Sequence, residues 1–338
     1  MFLLQCGCGW DCGCRSSLPR LLSCLTRCTI PSACLANEVL YVNKSREGST
    51  RQTGDAKPMR RLFSLSYLTL ECSPTETLEH AAAAGYDLAG IRMLPAVEGG
   101  KSFPLFADPA ILAETIGRSR DTGVGILDVE IARIDGRATV GQWLPMLEAA
   151  GRLGARTVIA AGDDPDLSRM TDTFAALCAA AASFGLSVNL EFTPWTVLSN
   201  ARMALATVEA SGAANAEVLI DTIHVARSAT TVADIQAIPP SRMSYFQICD
   251  APPGIPATRE ELLLTARQER LLPGEGGVDI AGQVDALPAD LIVSVEIPSH
   301  ARIAAFGPRE WARRTLEVSR EAMERFDAAR EQPRQVRA

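Results

Sequence analysis

The sequence predicts a (β/α)8 TIM barrel preceded by a poorly ordered N-terminal extension. Three observations carry that expectation. Eight short aliphatic runs recur along the chain, amphipathic alanine-rich stretches separate them, and no glycine-rich phosphate turn follows the first run, LTLECSPTE. An open doubly wound sheet is the structural alternative, and it normally carries such a turn.

In chain order the runs are RLFSLSYLTL from Arg61, YDLAGIRML from Tyr86, VGILDVEIARI from Val124 and ARTVIAAG from Ala155. LSVNLEF from Leu186, AEVLIDTI from Ala216, MSYFQICD from Met243 and DLIVSVEI from Asp290 complete the eight. Runs this short and aliphatic fit strands buried on both faces. The stretches between them carry helix punctuation. In SPTETLEHAAAAG, Ser73 or Thr75 can cap the start and Gly85 can end the helix, while DPAILAETIGRSRDTG and DLSRMTDTFAALCAAAASFG open on aspartate and close on glycine. Eight such units in about 270 residues match the roughly 250 residues usual for this barrel.

Residues 1–58 form a separate problem. Seven of the ten cysteines (Cys6, Cys8, Cys12, Cys14, Cys24, Cys28 and Cys34) fall there, without zinc-ribbon spacing or a signal-peptide pattern. The segment is read as a Cys-rich, disordered leader and linker, with a transit peptide as the other reading. The catalytic barrel is expected over 59–328 and a short tail over 329–338. A net charge of -7 argues against binding nucleic acid through bulk electrostatics, and no run reaches the roughly 20 apolar residues of a membrane span. A cytoplasmic protein acting on a small molecule is expected. Lysine occurs only at Lys44, Lys57 and Lys101, so Schiff-base chemistry has almost no candidate nucleophile.

In such a barrel the C-terminal ends of the strands surround the active site. Here they carry Glu191 in VNLEFTPW, Asp221 in LIDTIH, Gln247 in YFQICDAP and Glu296 in VSVEIPS, on four consecutive runs. Strand alternation places Asn189, Leu219, Tyr245 and Ser294 inward, one layer below them. Each residue alone has an ordinary reading: a strand-ending aspartate is commonly a helix cap. Together, three carboxylates converging at one mouth repel one another unless a cation sits between them. Two Glu, one Asp and an amide oxygen form an all-oxygen set suited to one divalent cation, Mn2+ or Mg2+.

The segment from Met59 to about Asp327 resembles the xylose-isomerase-like TIM-barrel superfamily of sugar phosphate isomerases and epimerases. The resemblance rests on Glu191 in NLEFTPW, Asp221 and His224 in LIDTIH, Gln247, Arg270 ahead of LLPGEG, and Glu296 in SVEIP. It implies that Glu191, Asp221, Gln247 and Glu296 bind one divalent cation and that Glu191 and Glu296 are the catalytic acid–base pair. His224 and Arg270 are implied to contact substrate, and a homo-oligomer is implied because family members often form dimers. Many epimerases carry histidine where this chain has Gln247; glutamine there looks more like the dehydratase branch acting on 3-dehydroshikimate.

The expected activity is that of a divalent-metal-dependent isomerase or epimerase acting on a sugar-like polyhydroxy carbonyl compound through a metal-stabilised enediolate. A dehydratase of the 3-dehydroshikimate or inosose type would use the same site. Abasic-site DNA cleavage, known for another branch, needs a histidine-rich metal cluster and meets only three histidines here. A non-catalytic binding barrel is the remaining alternative. Arg92 in GIRML and Glu130 in DVEIARI either line the mouth and contact substrate or form a surface or loop ion pair. Trp195 either walls the pocket or is a buried loop aromatic. His80 reads as a helix-surface residue, His300 as a residue able to reach substrate, and Cys249 as core. The glycines of PGEGGVD could cradle a phosphate through backbone N–H groups.

Overall fold

The computed structural model describes residues 60–331, so the expectations for the leader over 1–58 and for the chain end beyond 331 fall outside the described residues. Eight parallel strands close into one barrel in chain order. They are β1 (Phe63–Leu65), β2 (Leu88–Arg92), β3 (Gly125–Ile134), β4 (Thr157–Gly162), β5 (Ser187–Glu191), β6 (Ala216–Asp221), β7 (Tyr245–Ile248) and β8 (Ile292–Val295). β1 pairs with both β2 and β8, which closes the sheet and leaves no edge.

Alternation along each strand sorts side chains between two cores. On β6, Val218 and Ile220 join the large apolar shell packed against the helices, whereas Leu219 faces the barrel axis with Leu88, Leu127, Ile131, Ile159, Ala161 and Tyr245. These seven fill the interior, so the barrel is a packed plug rather than a pore. Leu219 and Tyr245 therefore lie where alternation predicts, one layer below Asp221 and Gln247. Asn189 and Ser294, the other two residues expected inward, are fully buried, while their neighbours Val188, Leu190, Val293 and Val295 join the outer shell.

The helix punctuation reads as the sequence suggests. Ser73 caps Pro74–Ala84 through a capping box with Glu76, and Gly85 ends that helix at φ 94. Asp108 and Asp166 cap Pro109–Thr122 and Leu167–Ala182. The first run differs from expectation, since only three of its residues are strand and Tyr67–Thr69 turn into a 3-10 helix. The hydroxyls explain the departure. Thr69 Oγ1 donates to the Val295 carbonyl at 2.8 Å and accepts from the Ile297 amide at 2.9 Å, pulling the chain out of the sheet. The C-terminal helix Pro308–Glu331 runs three residues past the boundary expected at 328, and its Asp327 pairs with Arg61 at 2.8 Å.

A carboxylate lies inside the barrel beside this plug. Asp128 on β3 is buried, and its Oδ2 has no hydrogen-bond partner among the described residues. A Cβ at Gly90 would come within 2.7 Å of Asp128 Oδ1, so only glycine on β2 leaves room for it. Burial pushes the Asp128 carboxyl well above its ordinary value of 3.8, and Glu130 and Glu191 push the same way. A carboxyl raised in the folded state holds its proton more tightly there than in the unfolded chain. Its contribution to stability is therefore present at acid pH and is lost as pH rises from the unfolded value toward the folded one. Asp128→Asn is expected to raise the thermal midpoint at about pH 8, with the gain shrinking toward about pH 4. Calorimetric melts of both proteins across that range check it; a gain that grows on acidification would refute the assignment.

Candidate functional site

The mouth of the barrel is built by the ends of consecutive strands. β5 ends on Glu191, β6 on Asp221, and Glu296 follows β8 directly. In register, Asp221 lies opposite Gln247, and Gln247 opposite Ser294. All of these side chains except Glu191 are fully or almost fully buried, while Glu191 is 12% exposed and faces the opening.

Asp221 divides its two oxygens between two tasks. Oδ1 accepts from the Ile223 amide at 3.0 Å and caps the short helix Thr222–Ala226, so the ordinary reading of a strand-ending aspartate is correct. Oδ2 turns into the site, 2.7 Å from Arg270 Nη1 and 3.6 Å from His224 Nε2. That helix also delivers His224, whose Nε2 stands 3.5 Å from Glu191 Oε1. One donor atom each from Glu191, Asp221 and His224 lies within 4.8 Å of the others. Trp195 packs edge-on against the His224 ring with centroids 5.1 Å apart and walls the cavity.

Arg270 is placed differently from a substrate contact at the rim. It is 2% exposed, and its two terminal nitrogens reach Asp221 at 2.7 Å and Glu296 Oε2 at 2.8 Å. The guanidinium thus supplies part of the positive charge that converging carboxylates require. Glu296 Oε1 accepts from Ser66 Oγ at 2.7 Å and Gln247 Nε2 at 3.1 Å. Burial opposes ionisation of Asp221, but Arg270 and His224 outweigh it and hold that carboxyl below the usual range. For Glu296 burial wins over Arg270, and with Asp221, Glu191 and Glu130 nearby its carboxyl is held well above the usual range.

Among the buried atoms of the site that lack partners among the described residues are Gln247 Oε1 and His224 Nδ1. An orphaned amide oxygen beside two carboxylates and an imidazole is a donor set that fits a divalent cation. The residues present therefore suit the expected metal, with His224 rather than Glu296 completing the group of three whose donor atoms converge.

The remaining candidates fall into place around this centre. Arg92 and Glu130 form an ion pair at 2.9 Å within the cavity wall, with the Arg92 guanidinium 4.6 Å over the Tyr67 ring. His300 lies 3.3 Å from Glu71 and lines an outer extension of the cavity. His80 is half-buried on the helix Pro74–Ala84. Cys249 is buried, and burial pushes its thiol up to about 12, as suits a core residue. The glycine-rich turn already has its anion. The amides of Gly274 and Gly276 donate to Asp250 Oδ2 at 2.9 and 3.0 Å, and that of Val278 to Oδ1 at 3.0 Å. The nest is occupied by the chain's own carboxylate, so the phosphate reading of PGEGGVD is not supported.

Sequence reasoning missed Ser66, Arg133 and Arg267. The last two line the same cavity as Glu191 and His224. Arg133 lies near the end of β3, and Arg267 lies three residues before Arg270, so a strand-end scan and a helical offset could have found them.

The sequence pattern of the xylose isomerase-like TIM barrel family matches residues 78–322. The chain belongs to that family. No curated protein matches it in sequence. Among solved structures it is similar to the IolI protein with a bound zinc atom, at 16% identity and TM-score 0.66, covering 78% of this chain and 99% of that one. A xylose isomerase domain protein from Alicyclobacillus acidocaldarius subsp. acidocaldarius matches at 18% identity and TM-score 0.63, covering 79% and 99%. D-Psicose 3-epimerase with D-tagatose from Clostridium cellulolyticum H10 matches at 14% identity and TM-score 0.58, covering 78% and 99%. At such identities these neighbours establish the shared fold. No helix among the described residues is long and apolar enough to cross a membrane.

Proposed function

We propose that this barrel is a divalent-metal-dependent isomerase or epimerase acting on a polyhydroxy carbonyl compound. The observation that carries the proposal is the convergence of Glu191, Asp221 and His224 within 4.8 Å beside the orphaned Gln247 oxygen. Membership of the family and the zinc atom bound in the IolI structure support the same reading. Glu191, Asp221, Gln247 and Glu296 would hold one Mn2+ or Mg2+, with His224 against the same position. Bound there, the cation would polarise a carbonyl and the neighbouring hydroxyl and so acidify the C–H between them.

The acid–base work is assigned to this chain's own carboxyls. Glu191, at the opening, takes the proton from the carbon next to the carbonyl, leaving an enediolate. Glu296 is assigned the return of a proton to the enediolate. Ser66 and Gln247 fix the Glu296 carboxyl by donating to one of its oxygens, and Arg270 anchors the other. Trp195 shields the His224 side of the cavity from water. Return of the proton to the opposite face of the same carbon is epimerisation, and return to the adjacent carbon is isomerisation.

A dehydratase using the same centre is the second reading, favoured by Gln247 at the seventh-strand position. Both readings begin with abstraction of the same C–H proton and separate afterwards. The test is a panel of ketoses and cyclic β-hydroxy ketones incubated with the Mn2+-loaded full chain in deuterated buffer. Deuterium entering the carbon beside the carbonyl without loss of water supports isomerisation or epimerisation. A conjugated enone product with loss of water supports the dehydratase, and no exchange on any member contradicts both.

A further inference from the structure

Asp250 is a buried carboxylate that the proposed reaction does not use. It lies two residues beyond β7, and its side chain takes four backbone N–H groups. Ala251 and Val278 donate to Oδ1 at 2.8 and 3.0 Å, Gly274 and Gly276 to Oδ2 at 2.9 and 3.0 Å. An ionised carboxylate has about four lone-pair sites, so this one has no capacity left for a ligand. Its work is on the chain itself.

The segment it grips begins beside Arg270. The backbones of Leu271 and Asp250 exchange two hydrogen bonds of 2.9 Å, and the Arg270 amide donates to the Pro298 carbonyl at 2.9 Å. Arg270 is thereby fixed between the exits of β7 and β8. Beyond it LLPGEGG contains no helix or strand, and Gly274 stands at φ 96, which strains any residue with a side chain. Such a turn is flexible by composition and cannot by itself hold the residue before it. The Asp250 carboxylate supplies what the glycines lack, charge-assisted bonds to amides spaced along the turn. A Cβ at Gly276 would run into the Ala251 carbonyl and the Asp250 carboxylate, so glycine admits this close approach.

The Arg270 side chain in turn spans several partners. Nε donates to the Ala266 carbonyl at 2.6 Å, and Nη1 donates to Asp221 Oδ2 at 2.7 Å and to the Glu296 carbonyl at 3.2 Å. Nη2 meets Glu296 Oε2 at 2.8 Å. A rigid guanidinium fork serves both carboxylates only from one position, and a displacement of about 1 Å loses one or both contacts.

We propose that Asp250 is a positioning residue: by clamping the turn after Arg270 it holds that guanidinium between Asp221 and Glu296 and so sets the arrangement of the carboxylates that bind the cation. This deepens the proposed function and rests on those carboxylates being the metal site.

A double-substitution cycle with two readouts tests it. Asp250→Asn is made in the wild type, in Arg270→Gln and in Arg325→Gln, the last removing the same charge from the exposed face of the helix Pro308–Glu331. In urea unfolding of the chelator-treated full chain, Asp250→Asn is expected to raise the unfolding constant about hundredfold in the wild type and in Arg325→Gln. In Arg270→Gln, where no guanidinium remains to be held, the rise is expected to be about tenfold. In equilibrium dialysis the same substitution is expected to weaken Mn2+ binding about tenfold in the first two backgrounds and less than about twofold in Arg270→Gln. A carboxylate that only stabilised the turn would act by the same factor in every background and leave the Mn2+ affinity of the folded protein unchanged; either result overturns the proposal. If Asp250→Asn does not fold, Gly274→Ala, which strains the same turn and leaves the carboxylate in place, is carried through the cycle with the same pattern expected. Wild-type protein that takes up no Mn2+ removes the metal reading, and the urea cycle then decides the positioning role alone.

Discussion

Replacing Glu191 or Glu296 by glutamine is expected to lower kcat/KM by about 10²- to 10⁴-fold on whichever panel member the wild type converts. Each substitution keeps the side-chain shape and one oxygen while removing the group that takes or gives a proton. The two variants should also fail in distinguishable ways. Glu191→Gln removes the base at the opening, so incorporation of solvent deuterium should fall with turnover. Glu296→Gln leaves Glu191 in place, so exchange at the first carbon should outlast net conversion. Steady-state kinetics beside exchange followed by proton NMR checks both, with circular dichroism confirming the fold. Full activity in both variants would remove them from the mechanism.

The second large effect is on stability. Arg270 is 2% exposed and is the guanidinium between Asp221 and Glu296. Arg270→Gln is expected to destabilise the chelator-treated protein by about 3–5 kcal/mol, because it strands a buried charge beside a second carboxyl. Two companion measurements separate this from lost packing. Adding Glu296→Gln to Arg270→Gln should recover part of the loss, since one of the two carboxyls is then gone. Adding Mn2+ to the single variant should also recover part, because a cation on Asp221 replaces the missing charge. Denaturant unfolding with and without Mn2+ reads all three; a single variant within about 1 kcal/mol of wild type would show that Arg270 is not the counter-charge.

The barrel was legible because its signals are repetitive and local. Eight aliphatic runs, capping residues such as Ser73 and Asp108, and αL glycines such as Gly85 each act within a few residues. Alternation then carried the inference into three dimensions, placing Leu219 and Tyr245 in the inner core. What stayed hidden depends on side chains that travel. Nothing in LIDTIH says that His224 folds back to within 3.5 Å of Glu191, because the turn of helix that returns it exists only once Asp221 caps it. The glycines of PGEGGVD looked open to an external phosphate because the sequence does not reveal that Asp250 already occupies their amides. Arg270 read as a substrate contact by resemblance, and its burial between two carboxylates is a consequence of packing. Arg267 and Arg133 drew no attention because arginine is the chain's ordinary cation.

The central claim is that the strand ends hold one divalent cation among Glu191, Asp221, Gln247 and Glu296, beside His224. Equilibrium dialysis of the full chain against Mn2+, after chelator treatment, tests it most directly when wild type and Asp221→Ala are compared with Arg325→Gln as the charge control. One Mn2+ per chain in wild type and in Arg325→Gln, with loss of that site in Asp221→Ala, is the predicted result. Wild-type protein that takes up no Mn2+ or Mg2+, or an Asp221→Ala variant that binds as wild type does, would contradict it.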